Sequence, residues 1–171
     1  MAKPYKYLVI HCSATYEGVD IRPETIVKWH TSKSGRGWSR AGYSDIITLD
    51  GALHNIHFAE GTNPYDNFIE SSEMTWGVRG QNAVSKHVCY IGGVDKNKNP
   101  KNTMTPAQEE TLEIYIKHEI LRHPDIQIAG HNQFSAKACP SFNVPDFGCQ
   151  IGLKMKNINF KNNNYVEKYT K

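Results

Sequence analysis

The sequence predicts a single α/β domain, because short apolar runs rich in β-formers alternate with stretches that carry helix-start signatures. Its 171 residues suit one core of ordinary size. No run approaches the roughly 20 apolar residues of a membrane-crossing helix.

Tyr7-Leu8-Val9-Ile10-His11 is the first such run and reads as a buried strand ending at His11. A helix is expected over 20–34, with Asp20 as its cap and Pro23 in its first turn. Gly35, Gly37 and Gly42 mark a loop. Ser44 to Thr48 and Ala52 to His57 read as strands joined at Asp50-Gly51, a hairpin turn pair. From Ala59 to Lys86 no period is visible, and a long loop with a short helix is expected; long irregular stretches in compact domains are often functional.

His87 to Gly93 reads as a strand that ends in glycines. Thr105-Pro106-Ala107-Gln108 combines a Thr cap, Pro at the first helical position and Gln at the third, so a helix should run to Arg122 with Leu112, Tyr115, Ile116 and Ile120 on one face. Ile126 to Ala129 is a further strand leading into Gly130-His131, and Pro145 to Leu153 a short helix.

Charge is unevenly spread. The net charge is +3, yet the last twenty residues hold five lysines against one glutamate, which leaves the body of the chain near neutral. A nucleic-acid-binding face would need a basic stripe there. The chain opens on Met-Ala-Lys-Pro-Tyr-Lys without the long apolar stretch of a secretory signal, so a cytoplasmic location is expected. In that compartment Cys12, Cys89, Cys139 and Cys149 are expected as free thiols or metal ligands.

The eight histidines include two at strand ends, His11 and His131, and Cys139 follows His131 by eight residues. Strand ends on one edge of an α/β sheet converge, so these three can meet. Two imidazoles and a thiolate leave one tetrahedral position open, which is the catalytic pattern for zinc. Spacing alone also permits the ordinary alternative of hydrogen-bonded core histidines and a buried cysteine. His118 and His123 fall at the end of the long helix, where a cation suits the dipole. His54 and His57 lie near the hairpin, Cys12 should face away from His11, and Cys149 reads as packing.

Three blocks stand out in order along the chain: Ile10-His11-Cys12-Ser13-Ala14-Thr15; Trp29-His30 with Gly37-Trp38 and Gly42-Tyr43; and Lys137-Ala138-Cys139-Pro140-Ser141-Phe142. Together they resemble the zinc-dependent N-acetylmuramoyl-L-alanine amidases, in particular the amidase-type lysozymes of tailed phages, of the same superfamily as the peptidoglycan recognition proteins. The likeness spans roughly residues 6 to 147. It implies a central mixed β-sheet flanked by helices, with zinc in a surface groove at the strand ends. It implies that His11, His131 and Cys139 hold one Zn2+, that Tyr43 and Lys137 flank the metal and assist catalysis, and that Trp29 and His30 are structural.

The implied activity is hydrolysis of the amide between N-acetylmuramic acid and L-alanine in peptidoglycan, by a cell-wall lytic enzyme that acts after release by a separate factor. Residues 1–153 would form the catalytic domain and 154–171 a basic tail. The expected partner is peptidoglycan, with no nucleic acid, no stable membrane insertion and a monomeric state. The alternatives are a non-catalytic peptidoglycan-binding module and a secreted bacterial amidase used as a toxin or in wall remodelling. Two departures from the family are visible. Ser44-Asp45 stands where His-Phe is common, and the stretch from Gly61 to Arg79 lacks a usual His-containing segment. Trp76, Arg79 and Asn82 are substrate-contact candidates there, with loop packing as the alternative.

Overall fold

The structure, a computed structural model, describes residues 2–63 and 66–163. The elements run β1 (Lys3–Pro4), β2 (Tyr7–Cys12), β3 (Thr15–Tyr16), α1 (Pro23–Thr31), β4 (Asp45–Ile47), β5 (Leu53–Asn55), β6 (Phe68–Ile69), β7 (Ser85–Tyr90), β8 (Gly93–Val94), α2 (Pro106–Arg122), β9 (Gln127–Gly130) and α3 (Val144–Gln150). Five strands form the central sheet in the order β5-β4-β7-β2-β9. It is mixed: β4, β7, β2 and β9 are parallel neighbours, and β5 joins antiparallel to β4.

Strand β2 lies at the heart of this sheet and every one of its residues is buried. A parallel strand covered on both faces reads as a continuous apolar run, and Tyr7 to Ile10 supply it. On one face Leu8, Ile10, Val88 and Tyr90 pack with Leu112, Tyr115 and Ile116 of α2 and with Val144 and Phe147 of α3. On the other face Tyr7, Val9 and Ala129 meet Val78, and Ile46 and Cys89 meet Ile26 of α1. Side chains alternate along β2, so Cys12 joins the first face with Leu8 and Ile10 while His11 shares the second with Val9.

Helix α2 begins with the expected capping box. Thr105 Oγ1 accepts from the Gln108 amide at 3.1 Å, and Gln108 Oε1 accepts from the Thr105 amide at 3.0 Å. The amide nitrogen of the Gln108 side chain then donates to the carbonyls of Ile47 and Ile91, which ties the helix start to the sheet. Thr48 and Ala52 close the β4–β5 hairpin, with Gly51 at φ +83 where a Cβ would strike the Ala107 carbonyl.

Several elements differ from the sequence expectation. Helix α1 starts at Pro23 and stops at Thr31, and its cap is Arg22, without a side-chain bond, in place of Asp20. The stretch from 59 to 86 is less irregular than expected. It contains β6, which pairs with β1, and a 3-10 turn over Asn82–Val84, and β7 begins two residues early at Ser85. Strand β7 also stops at Tyr90, ahead of Gly92 and Gly93, whose φ values are positive. Helix α3 is capped by Asn143, starts at Val144, one residue before the expected Pro145, and ends at Gln150.

The segment read as a tail continues the domain as far as it is described. Ile158 enters the main core at 2% exposure and bridges to Ile128, and Asn159 donates its amide to the Ile128 carbonyl. Residues 164–171 lie outside the described part. All four cysteines are free; Cys149, expected in packing, is exposed, because it lies on the outer side of a short helix. No helix among the described residues is long and apolar enough to cross a membrane.

Candidate metal centre

The parallel strands deliver two histidines to one place. His11 is the penultimate residue of β2, and His131 follows β9 directly in a 3-10 turn. In open α/β sheets such carboxyl ends are where ligands bind. Cys139 arrives from the loop between that turn and α3. This loop is fixed by the Asn132 amide on the Cys139 carbonyl at 2.7 Å, and by the Tyr90 hydroxyl on the Pro140 carbonyl at 2.7 Å.

The three residues present ligand atoms that all lie within 4.8 Å of one another, and they can hold a single metal ion. His11 Nδ1 and Cys139 Sγ are 3.7 Å apart. Two ligands of one tetrahedral zinc stand about 3.6 Å apart, given bond lengths of about 2.1 and 2.3 Å. The Cys12 amide donates to Cys139 Sγ at 3.3 Å, a contact that favours the thiolate.

Electrostatics point the same way. Burial, then the neighbouring His131 and His87, hold His11 well below the usual imidazole range. Burial and the Lys137 charge lower His131 to about 4. Both rings are therefore neutral at pH 7, as ligands must be. Burial pushes the Cys139 thiol up, so its ionisation calls for a cation at this spot. Among the described residues no carboxylate accompanies the three donors.

Tyr43 and Lys137 flank the cluster in different ways. The Tyr43 ring packs 4.9 Å from the His11 ring and 5.1 Å, edge on, from His30. Burial, then the neighbouring Cys89, raise its hydroxyl well above 10. His30 holds this loop, since its Nδ1 accepts from the Gly42 amide at 3.1 Å and its ring stacks on Trp38. Trp29 is partly exposed at 44% and has no part in the cluster. Lys137 is exposed and lines a cleft of about 480 Å³ together with His131, Trp38, Trp76, Arg79 and Asn82.

The candidates in the irregular stretch thus reach the cleft. Asn82 also has a structural bond, accepting from the Val78 amide at 2.8 Å. The Trp76 indole donates to Ser39, and the Arg40 guanidinium sits over its ring.

Other polar residues take ordinary places. His54 contacts Thr48 and His57 the Ser72 carbonyl, so they form no metal pair. His123 is not the helix-end cation expected. It is buried, stacked on Tyr5 and bonded to Asn67, and burial lowers its pKa.

Sequence reading missed His87. It is fully buried on β7, and its Nδ1 lies 3.1 Å from His11 Nε2. The signal available was a histidine inside an apolar strand run.

An α/β sheet that brings two histidines and a cysteine to its strand ends, beside an open cleft, defines a domain with a three-donor site able to hold one metal ion. The chain belongs to the family of phage endolysins: it is 32% identical over 136 residues to the endolysin of Enterobacteria phage K11, covering 79% of this chain and 80% of that protein. The fold is shared with the Ph2119 endolysin from Thermus scotoductus MAT2119 bacteriophage Ph2119, at TM-score 0.65 and 24% identity over 90% of this chain and 88% of that one. It is shared also with the N-acetylmuramoyl-L-alanine amidase LysC from Clostridium intestinale URNW, at TM-score 0.63 and 20% identity over 90% and 91%. No family profile matches the chain.

Proposed function

We propose that the protein is a zinc-dependent N-acetylmuramoyl-L-alanine amidase that cuts peptidoglycan between the lactyl group of muramic acid and the first L-alanine of the stem peptide. The observation that carries this reading is the convergence of His11, His131 and Cys139 within 4.8 Å beside an open cleft, in a chain of the endolysin family. Two neutral nitrogens and one sulfur suit zinc better than calcium or magnesium, which prefer oxygen.

An amide is a poor electrophile, and zinc bound by these three residues supplies a Lewis acid that acidifies water and polarises the scissile carbonyl. The chain's own groups supply the rest. The Cys12 amide and the His87 ring hold Cys139 and His11 in place. Lys137 puts a mobile positive charge into the cleft, and its field is already felt at His131 and His11. It is suited to meet the negative charge that develops on the carbonyl oxygen. A phenol is protonated at neutral pH and burial strengthens this at Tyr43, so Tyr43 serves as a hydrogen-bond donor and steric wall for His11 and not as a base. Trp38 and Trp76 give the cleft apolar walls against which a muramyl peptide can lie.

The test is purified protein on isolated cell walls, with new amino termini and new reducing sugars measured together. Amino termini on alanine, no reducing ends, and loss of activity on chelation with recovery on added zinc are expected. Reducing ends in place of alanine termini would overturn the assignment.

A further inference from the structure

We infer that His87 is a positioning residue that fixes the ring tautomer of His11, and that Gly77 is there to leave room for it. This rests on the reading of His11 as a cation ligand.

The two rings come together through strand register. β2 and β7 run parallel with Val9 opposite His87 and His11 opposite Cys89. His87 thus shares a sheet face with Val9 and His11, one diagonal step away, although 76 residues separate the histidines in the chain. The ring centroids are 5.2 Å apart, and both residues have no exposed surface.

Each ring nitrogen then has one available task. His11 Nδ1 faces Cys139 and must carry a lone pair to ligate. The His11 proton therefore sits on Nε2, in a place where water does not reach, and needs an acceptor. His87 Nδ1 is that acceptor at 3.1 Å. The reverse bond, from His87 Nδ1–H to His11 Nε2, would leave the His11 proton on Nδ1 and block ligation.

A ligand histidine usually hands its second N–H to a carboxylate, a backbone carbonyl or water, and losing such a partner costs about 10- to 100-fold in metal affinity. Here a second imidazole performs that task. Its own far nitrogen, Nε2, is buried with no hydrogen-bond partner among the described residues. A core position filled for packing alone would be better served by leucine, so the contact with His11 is what accounts for a histidine here.

Gly77 completes the arrangement. A Cβ at this residue would overlap Nδ1 and Cγ of His87, and would lie 2.8 Å from the Gly42 carbonyl oxygen. The loop that walls the cleft can lie flat on the His87 ring only because residue 77 has no side chain.

Nitrogen-15 spectra of the full chain read the tautomers directly, with and without zinc, while zinc affinity is measured by competition with a chelating dye. The expected results are His11 protonated on Nε2 in the metal-free wild type, and a 10- to 100-fold weaker zinc affinity with mixed His11 tautomers in His87→Leu. His87→Asn, whose Oδ1 stands where Nδ1 stood, should restore both. His11 protonated on Nδ1 in the metal-free wild type, or His87→Leu binding zinc as tightly as wild type, would overturn the inference. Should His87→Leu not fold, the wild-type tautomer and His87→Asn decide it. A wild type that binds no zinc at all would instead sink the ligand reading, and the metal-free spectrum would still decide whether His87 sets the tautomer.

Discussion

Two polar clusters are buried on this sheet, and they are built on opposite logic. Around Glu119, on α2, opposite charges satisfy one another. Its carboxylate lies 3.0 Å from Lys86 and 3.3 Å from Arg122. Nearby, Asp45 accepts from the Tyr115 hydroxyl at 2.6 Å and from Ser44 and Asn55. Around His11, by contrast, two imidazole nitrogens and a cysteine sulfur converge, with no carboxylate beside them among the described residues. The first cluster supplies its own counter-charges, although Glu119 Oε2 is left without a hydrogen-bond partner among the described residues. The second is complete only with something added. Buried groups that answer each other mark structure, and buried groups that all aim at one point mark a ligand.

Substitutions can break this contrast, and the largest effect belongs to the centre. Cys139→Ala removes one of the three proposed zinc ligands, an effect that should exceed the about 10- to 100-fold cost of losing an outer partner. Alanine release from walls is expected to fall at least about 1000-fold, with zinc content falling alongside and the melting temperature of the metal-free protein little changed. Lys137→Ala should leave zinc content intact and lower the turnover rate about 100- to 1000-fold, measured in the same wall assay. If the two clusters really differ in kind, Glu119→Gln should do the reverse. It strands Lys86 and Arg122 without their shared carboxylate, costing about 3 kcal/mol in chemical denaturation, while activity per folded molecule is kept.

The histidines add a pH arm. His30 and His131 are lowered to about 4 and His87 to about 3 by burial. Their unfolded-state value is near 6.5, so between the two limits the unfolded chain binds more protons. Their contribution to stability is present above about pH 6.5 and is lost as pH falls toward 4 and 3. The melting temperature of the metal-free protein should therefore drop between pH 7 and 5, and His87→Leu should flatten part of that drop. The smallest effect is expected at the α2 cap: Thr105→Ala should cost about 1 kcal/mol and leave the centre untouched.

Local chemistry explains what was legible in the sequence. Helix α2 could be read from four residues because its capping box is contiguous. Strand β2 was legible because burial on both faces demands an unbroken apolar run. The three residues that can hold a metal ion, His11, His131 and Cys139, were nameable from motif blocks and from the rule that strand ends converge. What escaped depends on distant pairing. Strands β1 and β6 are two residues each and exist only as partners, with Lys3 opposite Ile69. The role of His87 required a register that places Val9 beside it, and Gly77 looked like any loop glycine until that ring was seen against it. Asp20 was a reasonable cap by residue type, but Pro23 takes the first helical position and moves the cap two residues on, to Arg22.

The bridge from Ile158 to Ile128 has one more consequence. β9 ends the row of five strands, and a terminal strand offers unpaired amides and carbonyls to any other chain. Here Asn159 takes the Ile128 carbonyl, Ile158 covers the flank, and Gln133 donates to the carbonyls of Asn159 and Lys161 to hold that cover down. Residues 154–161 thus act as a guard against edge-to-edge association. A chain cut after Leu153 would expose that border and be prone to self-assembly, whereas one cut after Asn163 would keep it closed.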